Sequence, residues 1–397
     1  MAFAIDIALN LLAVVIAVPL LVFALECFAS LLPRKLRKSA CAQGGRAAVL
    51  IPAHNEAAGI ARTVKSLRGE ARIADRIIVI ADNCSDDTAE IATQAGAEVT
   101  IRTNRDLRGK GYALDHGVRF LEADPPDVVM VVDADCRVSA RFFEELSESV
   151  LRTNSPVQCI NLTVGNQADA KSAVAVLANR TINLVRPSGL LALGGPCRLL
   201  GTGMAFPWEL IRDAKLATGS LVEDMKLGID LAIAGHDARF EPRAMVTSAL
   251  PPGRAAFATQ RARWEAGHMQ TIFREAPRLL IASLRRRSLM PAWLALHLSV
   301  PALSLLLSLW GVAFLGVLIA RYFGACYMPP YTLGVSGMLA LLGLFAGWAA
   351  YSREQVPLSA LIRAPFYLAG KLLLYVRMVL GPRTEWVRTR REAETQS

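Results

Sequence analysis

Residues 5–32 form an almost uninterrupted apolar run, and no other feature limits the fold of this chain as strongly. At about 1.5 Å per residue a helix of that length crosses roughly 30 Å of hydrocarbon. A segment in lipid must satisfy its own backbone N–H and C=O groups, so the run reads as a helix. Asp6 and Glu26 lie towards its ends. A secretory signal peptide is the alternative reading. Against it, the run exceeds a usual signal core, and its basic cluster (Arg34, Lys35, Arg37, Lys38) follows rather than precedes it. That cluster predicts an outside N-terminus and a cytoplasmic exit, making residues 1–33 an N-terminal transmembrane helix.

Residues 292–351 read as two further spans, 292–320 and 332–351. Residues 285–287, all arginine, precede the first, Arg353 follows the second, and the loop between them carries Arg321 alone. Both flanks are then cytoplasmic and the loop is outside. Residues 270–288 set Phe273, Leu279, Leu280, Ile281 and Leu284 among Arg274, Arg278 and Arg285, the pattern of an interfacial amphipathic helix. Residues 358–380 are apolar but contain Arg363, Lys371 and Arg377. They read as a second interfacial helix, with a third C-terminal span as the alternative. A span would export the basic tail, residues 381–397, with Arg383, Arg388, Arg390 and Arg391.

The chain has 397 residues, is 53% hydrophobic and carries a formal net charge of +10. Its cations cluster beside apolar segments instead of striping a folded domain. That suits an anionic membrane surface and excludes nucleic acid as a partner. The seven cysteines are scattered, with no CxxC pair and no metal-like spacing with histidine, as expected of reduced thiols on the cytoplasmic side.

Between the first and second apolar segments, residues 46–265 alternate. Strands are predicted at 47–52, 76–81, 98–102 and 128–132, and helices at 57–69, 87–95 and 111–123. The fold class is α/β, a mostly parallel sheet with helices on both faces and ligands at the carboxyl ends of the strands. Asp82 and Asp133 both fall on that edge. The first strand is not followed by GxGxxG, which speaks against a dinucleotide-binding fold.

Asp133-Ala134-Asp135 puts two carboxylates on alternate positions past a buried strand. Such oxygens suit a hard divalent cation that also takes phosphate oxygens; a solvated turn is the plain alternative. Asp82 suits hydrogen bonds to a nucleobase or ribose, while Asp86 and Asp87 suit capping of the next helix. Arg108-Gly109-Lys110-Gly111 brings a cation and pliant backbone towards phosphates without the full P-loop pattern. Glu223-Asp224 begins a helical pattern with Leu227, Leu231 and Ala234 on one face. Asp224 reads as a general base, although a helix N-terminus favours carboxylates in any case. Gln260, Arg263 and Trp264 share one helical face, with Arg263 suited to diphosphate and Trp264 to stacking on a sugar; a basic amphipathic membrane helix is the alternative. His54 and His268 read as polar surface residues.

At Ile51-Pro52-Ala53-His54-Asn55-Glu56, the Asp82 segment, Gly109-Lys110-Gly111, Asp133-Ala134-Asp135, Glu223-Asp224 and residues 260–264, the chain resembles the membrane-bound family-2 glycosyltransferases. That group includes bacterial cellulose synthase, hyaluronan synthase, chitooligosaccharide synthase and ceramide glucosyltransferase. The motifs come in the family's order. The resemblance implies a GT-A fold over residues 46–268, a nucleotide-sugar donor, UDP-linked, and Mg2+ or Mn2+ held by Asp133 and Asp135. It implies donor contacts from Pro52, Ala53, Asn55, Glu56, Asp82, Lys110, Asp133, Gln260 and Arg263. It makes Asp224 the base and places Gly201, Thr202, Glu223 and Trp264 at the acceptor. Val222 stands where many relatives have Thr. Three spans are few for a polymer channel, so a lipid-linked acceptor, a growing polysaccharide, a homo-oligomer and partner export subunits all stay open. The expected setting is the bacterial inner membrane, with a cytoplasmic catalytic domain. A nucleotidyltransferase, and a non-enzymatic membrane transport or scaffold subunit, are the competing classes.

Overall fold

The computed structural model describes residues 2–33, 45–164, 170–217, 222–249 and 254–363, with residues 2, 170–172 and 254–266 described by backbone alone. These fall into two compact units. One is helical and comprises residues 2–33, 170–194 and 295–363; the other is an α/β unit of the remaining described residues up to 294.

Helix α1 (Ala2–Ala29) comes first. Then β1 (Ala47–Ala53), α2 (Ile60–Arg68), β2 (Arg76–Asp82), α3 (Thr88–Gln94), β3 (Glu98–Arg102), α4 (Lys110–Leu121) and β4 (Val128–Val131) alternate as the sequence predicts. The reason is local. β1, β2 and β4 are nearly continuous runs of Val, Ile, Leu and Ala, buried on both faces as parallel strands must be. α2 buries Ile60, Thr63, Val64 and Leu67, the i, i+3, i+4, i+7 face of a helix laid on a sheet.

The chain continues through β5 (Cys136–Val138), α5 (Phe142–Thr153), β6 (Val157–Val164), α6 (Ala170–Arg180), a π-helical turn (Thr181–Val185), α7 (Arg186–Leu193), β7 (Met204–Pro207), α8 (Trp208–Arg212), α9 (Glu223–Ala234) and β8 (Arg239–Ala249). One eight-stranded sheet results, in the order β3-β2-β1-β4-β7-β6-β8-β5. The half from β3 to β4 is parallel; β7 is antiparallel to β4 and β6, and β5 to β8, so the sheet is mixed. Its core packs Val49, Ile51, Val79 and Met130 against Phe142, Phe143 and Leu146 of α5.

Next come α10 (Arg254–Arg286), α11 (Met290–Leu298), α12 (Leu303–Tyr322) and α13 (Met328–Tyr351). The interfacial helix expected at 270–288 is the second half of the 33-residue α10, continuous with residues 260–264. Its outward face exposes Phe273, Leu280, Ile281 and Leu284. The span read at 292–320 is broken between α11 and α12, where Pro301 lacks the N–H that a continuing helix needs and disfavours helical backbone at Val300. Among the described residues three helices, in α1, α12 and α13, are long and apolar enough to cross a membrane.

Within the helical unit, Cys326 N donates to Asp6 Oδ1 at 2.9 Å and Tyr351 Oη donates to Ser30 O at 2.6 Å. The start of α1 therefore lies with the α12–α13 loop, and its end with the end of α13. Residues 170–194, inside the stretch assigned by sequence to 46–268, pack in this unit. Arg186 is buried there. Its Nε donates to Glu26 Oε2 at 2.5 Å and its Nη2 to His297 O at 2.8 Å, while His297 Nδ1 lies 2.8 Å from Glu26 Oε1. α7 meets α1 backbone to backbone: a Cβ on Gly189 would stand 1.8 Å from Glu26 O. Arg180 donates to Tyr351 O at the end of α13, where a helix leaves carbonyls unpaired. Residues 358–363 are helical; the rest of the expected 358–380 helix, the 381–397 tail and the Arg34–Lys38 cluster lie outside the described residues.

Candidate active site

Because β1, β2 and β4 are parallel, their carboxyl ends share one edge of the sheet. β7 runs the other way, with Met204 opposite Val131, so the residues that precede β7 arrive where those that follow β4 leave. Gly201-Thr202-Gly203 thereby meets Asp133-Ala134-Asp135. Asp133 N donates to Thr202 Oγ1 at 3.0 Å, and Gly203 N to Val131 O at 2.8 Å. Gly201 and Gly203 take φ of +82° and +67°, the left-handed region open to glycine.

Lys110, the first residue of α4, closes the cluster. Its Nζ pairs with Asp133 Oδ1 and donates to Gly201 O at 2.6 Å. Asp224, in the first turn of α9, is the next neighbour. A Cβ on Gly201 would stand 3.0 Å from Asp224 Oδ2 and 3.3 Å from Lys110 Nζ, so Gly201 leaves room for both groups. Burial raises the Asp224 carboxyl above its ordinary range, and the Lys110 charge offsets this in part. Burial and then the Asp224 charge raise Glu223. Burial pulls Lys110 down, but Asp133, by charge and hydrogen bond, holds it above the usual lysine range.

The loops after β1 and β2 are knitted together. Asp82 is buried at the end of β2, where Oδ1 accepts from Arg102 Nη1 at 2.6 Å and from Asn83 Nδ2 at 3.0 Å. Pro52 and Ala53 end β1 beside Ile80 and Ala81 of β2. Asn55 Oδ1 accepts from Ser85 N at 2.8 Å, and Glu56 N donates to Thr88 Oγ1 at 2.8 Å. The exposed His54 places Nδ1 2.7 Å from Asp82 O. Of the two expected capping residues, Asp86 accepts from Thr88 N at 3.1 Å. Asp87 occupies the N-cap of α3 without a side-chain bond to it. His268, read as a surface residue, is buried.

The structure therefore gathers Lys110, Asp133, Gly201, Thr202, Glu223 and Asp224, and places Pro52, Ala53, Asn55, Glu56 and Asp82 on the same sheet edge. Gln260, Arg263 and Trp264 are helical in α10, but their side chains lie outside the described residues. Just beyond them a Cβ on Gly267 would stand 2.9 Å from Val222 Cγ1, so α10 passes against the residue before Glu223-Asp224. Asp133, half-buried, and Asp135, exposed, offer hard carboxylate oxygens. Among the described residues no three His, Cys, Asp or Glu converge on one point. Two carboxylates alone do not complete a coordination shell, so phosphate and water would have to supply the remaining ligands of a divalent cation. Sequence reading passed over Arg102, whose signal is its register opposite Asp82 on paired strands, and Gln158, a polar residue inside the apolar strand β6.

The sequence profile described as glycosyltransferase like family 2 matches residues 45–267. A probable glycosyltransferase, YdaM, of Bacillus subtilis is 28% identical over 258 residues, 58% of this chain and 56% of the relative. Poly-beta-1,6-N-acetyl-D-glucosamine synthase of Staphylococcus aureus is 24% identical over 238 residues, 57% of this chain and 55% of the relative. The chain thus spans about half the length of these curated relatives. Among solved structures, the Pyrobaculum calidifontis mannosyltransferase PcManGT, in complex with GDP-Man and Mn2+, superposes with a TM-score of 0.54. It is 19% identical, covering 88% of this chain and 98% of that one, and the likeness shows a GT-A-type fold. With more than half of its length matched, the chain belongs to glycosyltransferase like family 2.

Proposed function

We propose that this chain is an inverting membrane glycosyltransferase. It moves a sugar from a nucleotide-sugar donor, a UDP-sugar in our reading, to a lipid-linked acceptor or a growing polysaccharide. The observation that carries the reading is the Asp224 carboxylate standing against Gly201 and beside Lys110, which is itself bonded to Asp133. A proton acceptor and a phosphate-facing cation thus share one sheet edge.

Pro52, Ala53, Asn55, Glu56 and Asp82 seat the nucleoside in this reading, and Lys110, Asp133, Gln260 and Arg263 bind the diphosphate. Gly201, Thr202, Glu223 and Trp264 line the acceptor. Asp224 takes the proton of the acceptor hydroxyl as its oxygen attacks the anomeric carbon. The bond from that carbon to the diphosphate breaks on the opposite side, which inverts the centre. A carboxyl raised by burial is better matched to this task than an ordinary one. Mg2+ or Mn2+ held by Asp133 and Asp135 supplies charge neutralisation of the leaving diphosphate when bound.

The similarity to a fold solved with GDP-Man and Mn2+, and to a synthase of an N-acetylglucosamine polymer, supports donor and metal use of this kind. A family of glycosyltransferases speaks against the nucleotidyltransferase and scaffold readings. Helices α1, α12 and α13 support an integral enzyme, which we place in the bacterial inner membrane with its catalytic unit cytoplasmic. A polymer product would need a second copy or an export subunit to enclose it.

The test is nucleoside diphosphate release by the full chain in lipid, across a panel of nucleotide sugars with Mg2+ or Mn2+ and candidate lipid acceptors. Metal-dependent release from one donor, with the sugar recovered on lipid or oligosaccharide, is expected. Release of pyrophosphate instead, or sugar transfer indifferent to chelation of the metal, would contradict the reading.

A further inference from the structure

Gln158, the second residue of β6, is completely buried, and its side chain bonds the turn that precedes β7. Oε1 accepts from Leu200 N at 2.8 Å. Nε2 donates to Thr202 O at 2.9 Å and to Cys159 O at 3.0 Å. A primary amide offers two N–H groups and an acceptor oxygen, and this one spends them on Leu200 N and Thr202 O of the turn and Cys159 O of its own strand, with Gly203 O a longer contact at 3.3 Å. The register explains the reach: β6 and β7 pair with Gln158 opposite Met204, so the side chain lies level with the residues entering β7.

That turn carries two left-handed glycines, which lose more freedom on ordering than any other residue. It also holds two groups of the site from behind. Thr202 Oγ1 accepts from Asp133 N, and Gly201 O accepts from Lys110 Nζ. Gln158 is thus bonded to the same short segment that is bonded to Asp133 and Lys110. An apolar residue of its size would fill the same volume but leave Leu200 N and Thr202 O without these partners, a costly state for buried backbone.

We propose that Gln158 is a positioning residue. Through the backbone of residues 200–202 it holds Asp133 and Lys110 in register, without itself reaching substrate. The role rests on assigning those two residues to the donor.

The test compares Gln158→Met, Thr202→Val and the double variant in the full chain. The first readout needs no turnover. Cys136 Sγ lies 3.5 Å from Thr202 Oγ1, and a Cβ on Gly203 would stand 2.3 Å from Cys159 Sγ, so both buried thiols sit beneath the turn. In Gln158→Met, maleimide modification of Cys136 and Cys159, followed by peptide mass spectrometry, should quicken by about tenfold or more, the scale of losing one to two net hydrogen bonds. The buried Cys27 of the helical unit should be unchanged, and the melting transition of the α/β unit should stay above the labelling temperature, which together exclude general unfolding. Where Gln158→Met does not fold, Gln158→Glu keeps the acceptor for Leu200 N, removes the donors and is read the same way.

The second readout is a kinetic cycle. The double variant should have a kcat no lower than the slower single, because both changes act on one turn, and the donor KM should rise in every variant, because Asp133 and Lys110 bind the donor diphosphate. Thiols as protected as in the unaltered protein, or kcat losses that multiply, would overturn the proposal. An unaltered chain that transfers no sugar would count against the functional reading, and the thiol readout would still decide the role of Gln158.

Discussion

At Asp224 two influences oppose each other. Burial disfavours the charged carboxylate, and Lys110 beside it restores part of what burial takes away; the balance leaves the group above its ordinary value of 3.8. The consequences for pH have definite signs. With Asp224 as the proposed base, transfer would need the ionised form, so kcat should fall as pH drops through this raised value, with an acid limb above 3.8 in a kcat–pH profile. For stability the direction reverses. A carboxyl raised on folding contributes stability that is complete below its unfolded value and is lost as pH rises through the folded one. At neutral pH the ionised Asp224 therefore costs stability, as does Glu223, raised by burial and by Asp224 itself. Thermal melts of Asp224→Asn at neutral pH should show a midpoint equal to or above that of the unaltered chain, and a lower one would contradict this balance. The carboxylates themselves were legible in the sequence because Asp133-Ala134-Asp135 follows a buried strand and Glu223-Asp224 opens a helix. Gln158 was not, since a lone polar residue in an apolar strand does not reveal which backbone groups it meets.

Helix α7 shows what element-level reading loses. The strands and helices of residues 47–131 follow directly from period and apolar runs, and their observed bounds differ from those expected by a few residues at most. Residues 170–193 carry Arg180 and Arg186, whose charges mask the segment from any search for apolar helices. Both arginines are nevertheless satisfied inside the helical unit, Arg186 by Glu26 and His297 and Arg180 by the end of α13. Glu26, which looked like a polar marker near the end of a span, is the buried counter-charge. A buried pair broken from one side leaves the other charge uncompensated, at a cost of about 3–5 kcal/mol. Arg186→Met should therefore lower the thermal midpoint in detergent markedly. Adding Glu26→Met should recover much of the loss, because the two residues are coupled. Additive losses would show that the pair does not act as one unit.

At the scale of the whole molecule, the α/β class and the edge that holds the site were readable, and the mixed sheet was not. β5 and β7 are three and four residues long, and β8 contains Pro242, so none shows a clean strand period. In the proposed reading the antiparallel β7 matters for function. It brings Gly201-Thr202-Gly203 back to the carboxyl edge, where Asp133, Lys110 and Asp224 already stand. The same chain carries, among its described residues, three helices long and apolar enough to cross a membrane. Sugar transfer with Asp224 as its base is the claim on which the rest depends. Its most direct test is to measure donor binding and single-turnover transfer side by side for the unaltered chain and Asp224→Asn. Nucleotide-sugar affinity should stay close to unchanged and transfer should fall by at least about 100-fold, the scale of removing a general base. Transfer retained at the unaltered rate, or donor binding lost together with transfer, would contradict that claim.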